Sequence, residues 1–415
     1  MFAVIHNSTW LIFDRGIRLI MGLVVGAWVA RYLGPEHFGE LAYILAWIAL
    51  LQAVAGLGMD GIVVRDIARN PAHAGQLLGT ALILRLTAGT LCWIAAISGM
   101  ALLYGGADQR VLLIALAGAA LIFQCADTID LWFQSQSQSR RTVIAKLIAY
   151  SLSNGIKVLL ILLHAPLVAF AAVMALDALV AAVALIVAYH QFPCRGSWQP
   201  LLARARALTK ESWPFIISGV AIMIYTRIDQ IMIVALLDNK SLGYYAAAIP
   251  LGQLLNVIPY ILAISLQPLA ATLAHQCSAK HDEFFVAIFR LYMVLGLIAA
   301  IATFAASASI VIMLYGSAYH ATSTVLSIIG FAYLFSFLGI AQGLWVTQRR
   351  SKKIVIISTL SGAFLVVIGN YLLIPIFNIA GAAAASVIAQ AVSVSVIPLI
   401  VERDLRLLYR KALKP

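Results

Sequence analysis

Apolar segments of about 20 residues or more, interrupted only by short polar stretches, run through nearly the whole chain and limit its fold more than any other feature. Hydrocarbon offers backbone N–H and C=O groups no partner, so such a segment crosses a bilayer as a helix that satisfies them internally. The runs predict helices over 8–30, 39–58, 77–103, 110–133, 143–163, 167–189, 212–236, 243–270, 284–314, 321–345, 354–376 and 378–400. The expected fold is an all-α membrane protein with twelve transmembrane helices. Transmembrane strands are a poor alternative, because the runs are continuous rather than alternating. Only 11% of the 415 residues are charged, against about a quarter in soluble domains. The longest polar stretch, 189–211, is too short to build a soluble domain, so the chemistry is expected within or at the membrane.

Loop charges then set an orientation. If the N-terminus is cytoplasmic, the cytoplasmic segments carry Arg65 and Arg69, Arg140 and Arg141, Arg195, Arg204, Arg206 and Lys210, Lys280, Arg349, Arg350, Lys352 and Lys353, and Arg403, Arg406, Arg410, Lys411 and Lys414. The opposite side holds only Arg31, Arg110 and Lys240. The positive-inside rule reads this asymmetry as both termini in the cytoplasm. The net charge of +12 is spread over six such segments, so topology and contact with membrane lipids account for it and nucleic acid is not expected. The N-terminus lacks a basic n-region and a small-residue cleavage site, so no signal peptide is expected. Cys92, Cys125, Cys194 and Cys277 include no CxxC pair, and no disulfide, metal or cofactor framework follows.

An internal repeat divides the helices. Residues 33–46, LGPEHFGELAYILA, align with 237–250, LDNKSLGYYAAAIP, at an offset of 204, which sets Gly39 on Gly243 and Gln52 on Asn256. This pairs the first two helices with the seventh and eighth and predicts two six-helix lobes, an arrangement seen in transporters with a substrate path near the bilayer midplane. The expected organisation is an N-lobe over 1–189, a cytoplasmic linker over 190–211, a C-lobe over 212–400 and a basic cytoplasmic tail over 401–415.

Ionisable residues inside a bilayer are costly and face partners or water-filled cavities. They are Asp14, Arg15 and Arg18 in the first helix, Arg85 in the third, Asp127 and Asp130 in the fourth, Lys146 and Lys157 in the fifth, Asp177 in the sixth, Arg227 and Asp229 in the seventh, and Arg290 at the start of the ninth. Lys146, Tyr150, Ser153 and Lys157 share one helical face, as do Gln124, Asp127, Asp130 and Gln134. Gln253, Asn256, Tyr260 and Gln267 form a neutral stripe on the eighth helix, where Pro250, Pro259 and Pro268 predict bends. Two readings stand open. In one, Asp127 and Asp130 pair with Lys146 or Lys157 and glue the bundle. In the other, Arg15, Arg18, Arg85, Lys146, Lys157, Arg227 and Arg290 line a hydrated cavity for an anion, with arginine suited to hold phosphate bidentately. Coupling of transport to H+ or Na+ would fall to Asp127, Asp130, Asp177 or Asp229, because the histidines lie in loops or at helix ends. In the first helix Asp14 and Arg18 are spaced to pair, which leaves Arg15 free to meet a phosphate, with Arg227 as its expected counterpart.

Some motifs mislead. Gly56 to Gly61 satisfies GxGxxG but ends an apolar helix and lacks the following acidic residue, so nucleotide binding is not expected. His275, Cys277 and His281 match no common metal spacing.

The stretches RYLGPEHFGELAYILAWIALLQAVAGLGMDGIVVRDIARN and YTRIDQIMIVALLDNKSLGYYAAAIPLGQLLNVIPYILAISLQPLAATLAH resemble the helix 1–3 and helix 7–8 signatures of bacterial Wzx-type flippases. These belong to the multidrug/oligosaccharidyl-lipid/polysaccharide (MOP) exporter superfamily. The resemblance implies a multi-pass bacterial inner-membrane protein, not an enzyme. It would move undecaprenyl-diphosphate-linked oligosaccharide, such as an O-antigen repeat unit, to the periplasmic leaflet by alternating access. Ion antiport, and partnership with a polysaccharide polymerase and a chain-length regulator, are part of the same implication. It puts Arg15, Arg18, Arg227 and Asp229 at lumen-facing positions; the stripes read from spacing make Tyr150, Gln253, Asn256 and Tyr260 the expected polar lining. The rivals are a multidrug cation exporter of the same superfamily, which would favour an acidic lumen, and a membrane polysaccharide polymerase, which would need a long external loop.

Overall fold

The computed structural model describes residues 2–191, 198–276, 278–349 and 352–413, with side chains described from residue 16 onward apart from 274–280, 348–353, 355 and 413. In chain order the helices are α1 (Phe2–Ala55), α2 (Asp60–Arg69), α3 (Ala74–Tyr104), α4 (Gln109–Gly118), α5 (Ala120–Phe123), α6 (Asp127–Ser135), α7 (Ser139–Leu162), α8 (Leu167–His190) and α9 (Leu202–Leu236). They continue as α10 (Asn239–Leu254), α11 (Val257–Gln276), α12 (Ser278–Tyr315), α13 (His320–Gly330), α14 (Ala332–Arg349), α15 (Lys352–Ala391), α16 (Ile397–Val401) and α17 (Arg403–Leu413).

Among the described residues, 10 helical segments are long and apolar enough to cross a membrane. Two of them, Gly16–Arg69 with 54 residues and Ile356–Val401 with 46, exceed two bilayer cores in length, at roughly 1.5 Å of rise per residue. Each bends at one point. In α1 the break is Gly34, at φ 69° and ψ 170°, with Pro35 opening the next helical turn. In α15 it is Asn378, at φ 53° and ψ −137°, three residues after Pro375.

Some helices expected from the sequence are divided, among them the one over 321–345, at Phe331 into α13 and α14. The helix expected over 110–133 is divided into α4, α5, the 3-10 turn Gln124–Ala126 and α6. Trp93 explains the first division. Its indole N–H donates to the Ala115 carbonyl at 2.8 Å, and the Ala119 N–H turns instead to Leu116 at 3.3 Å, tightening the chain to a 3-10 turn. The linker expected over 190–211 is helical from Leu202, as the first turns of α9. The tail expected over 401–415 contains α17. The break expected in the eighth helix is present, at Leu255 and Asn256 between α10 and α11.

The chain groups into two units. One comprises 1–33 and 40–223, the other 34–39 and 224–415, so α9 contributes to both. The core of the first is built on α2, whose Ile62, Val63 and Ile67 join Leu77 and Leu78 of α3, Trp132 and Phe133 of α6, Leu185 and Tyr189 of α8, and Leu208 of α9. Trp198 anchors the following segment by donating its indole N–H to the Tyr189 hydroxyl at 2.8 Å. In the second unit, Phe285, Phe289 and Tyr292 of α12 pack with Tyr333, Phe337 and Trp345 of α14 and with Leu405, Leu408 and Tyr409 of α17.

Within this second unit the turn 34–39 meets α10 through the two repeat-equivalent glycines. A Cβ on Gly39 would fall on the Asn239 carbonyl, and a Cβ on Gly243 would fall on the Pro35 carbonyl. Asn239 is itself the repeat equivalent of Pro35, so the contact is reciprocal and glycine is required on both sides for the close approach.

Candidate functional site

The polar residues that α1, α3, α6, α7 and α8 place inside the first unit form three groups. The first is Lys146 of α7, whose ammonium bridges Asp127 at 2.7 Å and Asp130 at 3.0 Å. The two carboxylates lie one turn apart on α6, so a single cation reaches both. This is the pairing that helical spacing offered as the structural reading.

The second group joins Arg18, Tyr150, Lys157 and Asp177. The Arg18 guanidinium stands over the Tyr150 ring at 5.1 Å, and the Tyr150 hydroxyl donates to the Arg18 carbonyl at 3.0 Å. Gly22 makes room, since a Cβ there would stand 2.6 Å from that hydroxyl. Asp177 of α8 lies within electrostatic reach of Lys157 first and Arg18 second. Lys157 forms no hydrogen bond or ion pair among the described residues, with Asp177 as its electrostatic neighbour. Arg15 and Asp14, expected beside Arg18, lie outside the residues described at side-chain level.

The third group is Arg85 of α3, buried and paired with Asp60 at the start of α2. Asp60 sits in the GxGxxG stretch that sequence reading set aside as a helix end. Asp60 thus pairs with Arg85 although it lies just past the end of the helix expected over 39–58.

In the second unit the charged pair of α9 separates. Asp229 is buried and accepts hydrogen bonds from the Tyr245 hydroxyl of α10 and from the Gln230 N–H at 2.8 Å; Ser386 of α15 lies 3.4 Å from the same hydroxyl. Arg227 is half-buried and forms no hydrogen bond or ion pair among the described residues, with Asp229 as its electrostatic neighbour. Spacing could not reveal Tyr245 or Ser386, because each reaches Asp229 from another helix.

The neutral stripe divides at the α10–α11 break. Gln253 and Tyr260 are exposed, while Asn256 is half-buried with its Oδ1 shielded and without a partner. Tyr333 of α14 fills the break. Its hydroxyl donates to the Leu251 carbonyl at 2.7 Å and accepts from the Leu255 N–H at 3.4 Å, inserted between two groups that would otherwise bond each other in a continuous helix. Tyr292 of α12 donates to the Pro259 carbonyl at 2.8 Å just beyond it.

Arg290 has a different setting. It is exposed, and its guanidinium donates to the Ala412 and Lys411 carbonyls at 3.0 and 3.1 Å, capping the C-terminal end of α17. Gln342 of α14 holds the same helix by a bond to the Tyr409 hydroxyl and also donates to the Val394 carbonyl at 2.6 Å, inside the π-helical turn Val392–Val396. Burial pushes the Tyr409 hydroxyl up to about 12, so it stays protonated. Of the doubtful metal motif, His275 and Cys277 lie outside the residues described at side-chain level, and no other group of metal-ligating side chains occurs among the described residues.

Comparison with known proteins gives three results. Residues 4–273 match the family model described as polysaccharide biosynthesis protein. No curated protein matches by sequence. Among solved structures, an inward-facing multidrug resistance MATE family transporter of the MOP superfamily has a TM-score of 0.75 at 15% identity, covering 95% of this chain and 96% of that one. The lipid II flippase MurJ, in an inward closed conformation, has a TM-score of 0.70 at 15% identity, covering 99% and 91%. A MOP superfamily transporter from Pyrococcus furiosus, whose binding pocket is described as reversed in polarity, has a TM-score of 0.66 at 15% identity, covering 99% and 96%. The chain therefore has the multi-pass membrane fold of these transporters and flippases, none of them an enzyme.

Proposed function

The chain belongs to the polysaccharide biosynthesis protein family, and from that premise we propose that it is a flippase for undecaprenyl-diphosphate-linked oligosaccharide. In this reading the cargo, an O-antigen or similar surface-polysaccharide repeat unit, passes from the cytoplasmic to the periplasmic leaflet of a bacterial inner membrane by alternating access. The breaks at Gly34 and Asn378 turn the two longest helices into two crossings each, which supports twelve crossings; an even number puts both termini on one side, and the basic loops favour the cytoplasm for it. The N-lobe and C-lobe of the sequence reading, with the cytoplasmic linker and tail, then serve as the moving halves. A polymerase and a chain-length regulator would receive the product.

One observation carries this reading: Lys157 and Arg227 are cations within apolar helices that form no ion pair among the described residues. A diphosphate offers such groups charge-assisted hydrogen bonds, while its polyprenyl tail remains in lipid. Arg18 and Arg15 would extend the path. Arg85 and Lys146 hold carboxylates and would shape it, and Arg290 would brace α17 away from it. Asp177 and Asp229 are the coupling positions for H+ or Na+, ahead of Asp127 and Asp130, which Lys146 occupies. The multidrug-cation alternative is weaker because most of the carboxylates it would need are engaged, Asp60 by Arg85, Asp127 and Asp130 by Lys146, and Asp229 by Tyr245, which leaves Asp177.

Single alanine replacements of Arg15, Arg18, Lys157 and Arg227 test the proposal. Each charge-assisted bond to phosphate is worth roughly 1.5–3 kcal/mol, so translocation of lipid-linked oligosaccharide should fall about tenfold or more while membrane insertion stays normal. Normal translocation in all four variants would sink the cationic path.

A further inference from the structure

The C-terminal helix α17 has two opposed faces, and only one is used within the protein. Leu405, Leu408, Tyr409 and Ala412, at i, i+3, i+4 and i+7, are buried against α12 and α14. Arg403, Arg406, Leu407 and Arg410 repeat the same spacing two residues out of step, about 200° around the helix, and are exposed. We propose that this outer face is a binding surface for anionic phospholipid headgroups.

Three observations favour a lipid surface over a soluble acidic partner. First, α17 begins immediately past a membrane-spanning segment, after the extended residue Glu402, at φ −126° and ψ 112°. Arg406 fixes that corner by donating to the Leu399 and Ile400 carbonyls at 2.8 and 3.4 Å, where a cation also suits the helix C-terminus. Second, Arg403 and Arg410 form no hydrogen bond or ion pair among the described residues, so their charges are available to phosphate. Third, Leu407 stands amid the arginines at 47% exposure, and Ile400 at the adjoining corner is 66% exposed. Basic side chains around an exposed apolar centre match the boundary between headgroups and acyl chains.

The test titrates the full-length protein in detergent with phosphatidylglycerol or phosphatidylcholine and measures binding of each. Wild type should prefer phosphatidylglycerol, and the variant R403Q/R410Q should lose that preference by roughly fivefold per charge removed. Both arginines are exposed, and a thermal unfolding curve checks that the variant is folded. Leu407→Gln should weaken phosphatidylglycerol binding several-fold without changing charge. An unchanged preference in R403Q/R410Q overturns the proposal. So does polyglutamate competing as well as phosphatidylglycerol, which would mark a docking site for an acidic protein.

Discussion

The two units solve the problem of polar groups in an apolar protein by different chemistry. In the first, ion pairs join helices: Lys146 to Asp127 and Asp130, and Arg85 to Asp60, with Arg65 and Glu211 paired at 2.8 Å on the exposed side. In the second, neutral hydroxyls and amides bond backbone carbonyls of neighbouring helices: Tyr333 at Leu251, Tyr292 at Pro259, Gln342 at Val394 and Thr322 at the Tyr244 carbonyl, 2.9 Å away. Ion pairs between helices lie mainly in the first unit, whereas the α10–α11 break held by Tyr333 and the π-helical turn bound by Gln342 lie in the second.

Removing a member of each kind of link sharpens that comparison. Lys146→Ala has the larger expected effect, because it leaves two carboxylates one turn apart with no cation. With partial exposure discounted, the loss should be about 2 kcal/mol, read as a lowered unfolding temperature of the purified protein. Adding Asp130→Asn should recover part of it. An unchanged unfolding temperature for Lys146→Ala would mean that the triad contributes nothing to stability. Tyr333→Phe should cost less, about 1 kcal/mol, since it removes one hydroxyl and leaves the Leu251 carbonyl and the Leu255 N–H to find each other. Hydrogen exchange at Leu255 should report the change locally. Slower exchange there would show that the hydroxyl holds the break open against a helix that otherwise closes.

Much of this contrast was legible in the sequence, and what was hidden has a physical reason. Helical spacing placed Asp127 and Asp130 on one face and offered Lys146 or Lys157 as their partner, because neighbours on a helix surface follow from periodicity; that it is Lys146 comes from how α7 packs on α6. The prolines of the eighth helix announced its break, because a missing N–H is a local property. The division of 110–133 was not legible, since it depends on the Trp93 indole reaching Ala115 from another helix. Asp229 and Tyr245 meet for the same kind of tertiary reason. The α17 pattern, in contrast, was present as Leu405, Leu408, Tyr409 and Ala412, but the interleaved arginines made it resemble a solvated tail. Arg290 read as an intramembrane cation because its partners are the Ala412 and Lys411 carbonyls, and backbone acceptors leave no mark in a sequence.

The central claim is transport of a lipid-linked oligosaccharide, and reconstitution tests it most directly. Purified protein in sealed vesicles would be given undecaprenyl-diphosphate-linked oligosaccharide on one side only, with appearance at the opposite leaflet followed by a membrane-impermeant sugar-modifying reagent. The account predicts transfer well above that of empty vesicles, reduced about tenfold or more by Lys157→Ala. Transfer equal to that of empty vesicles, from protein shown to be folded, would contradict it.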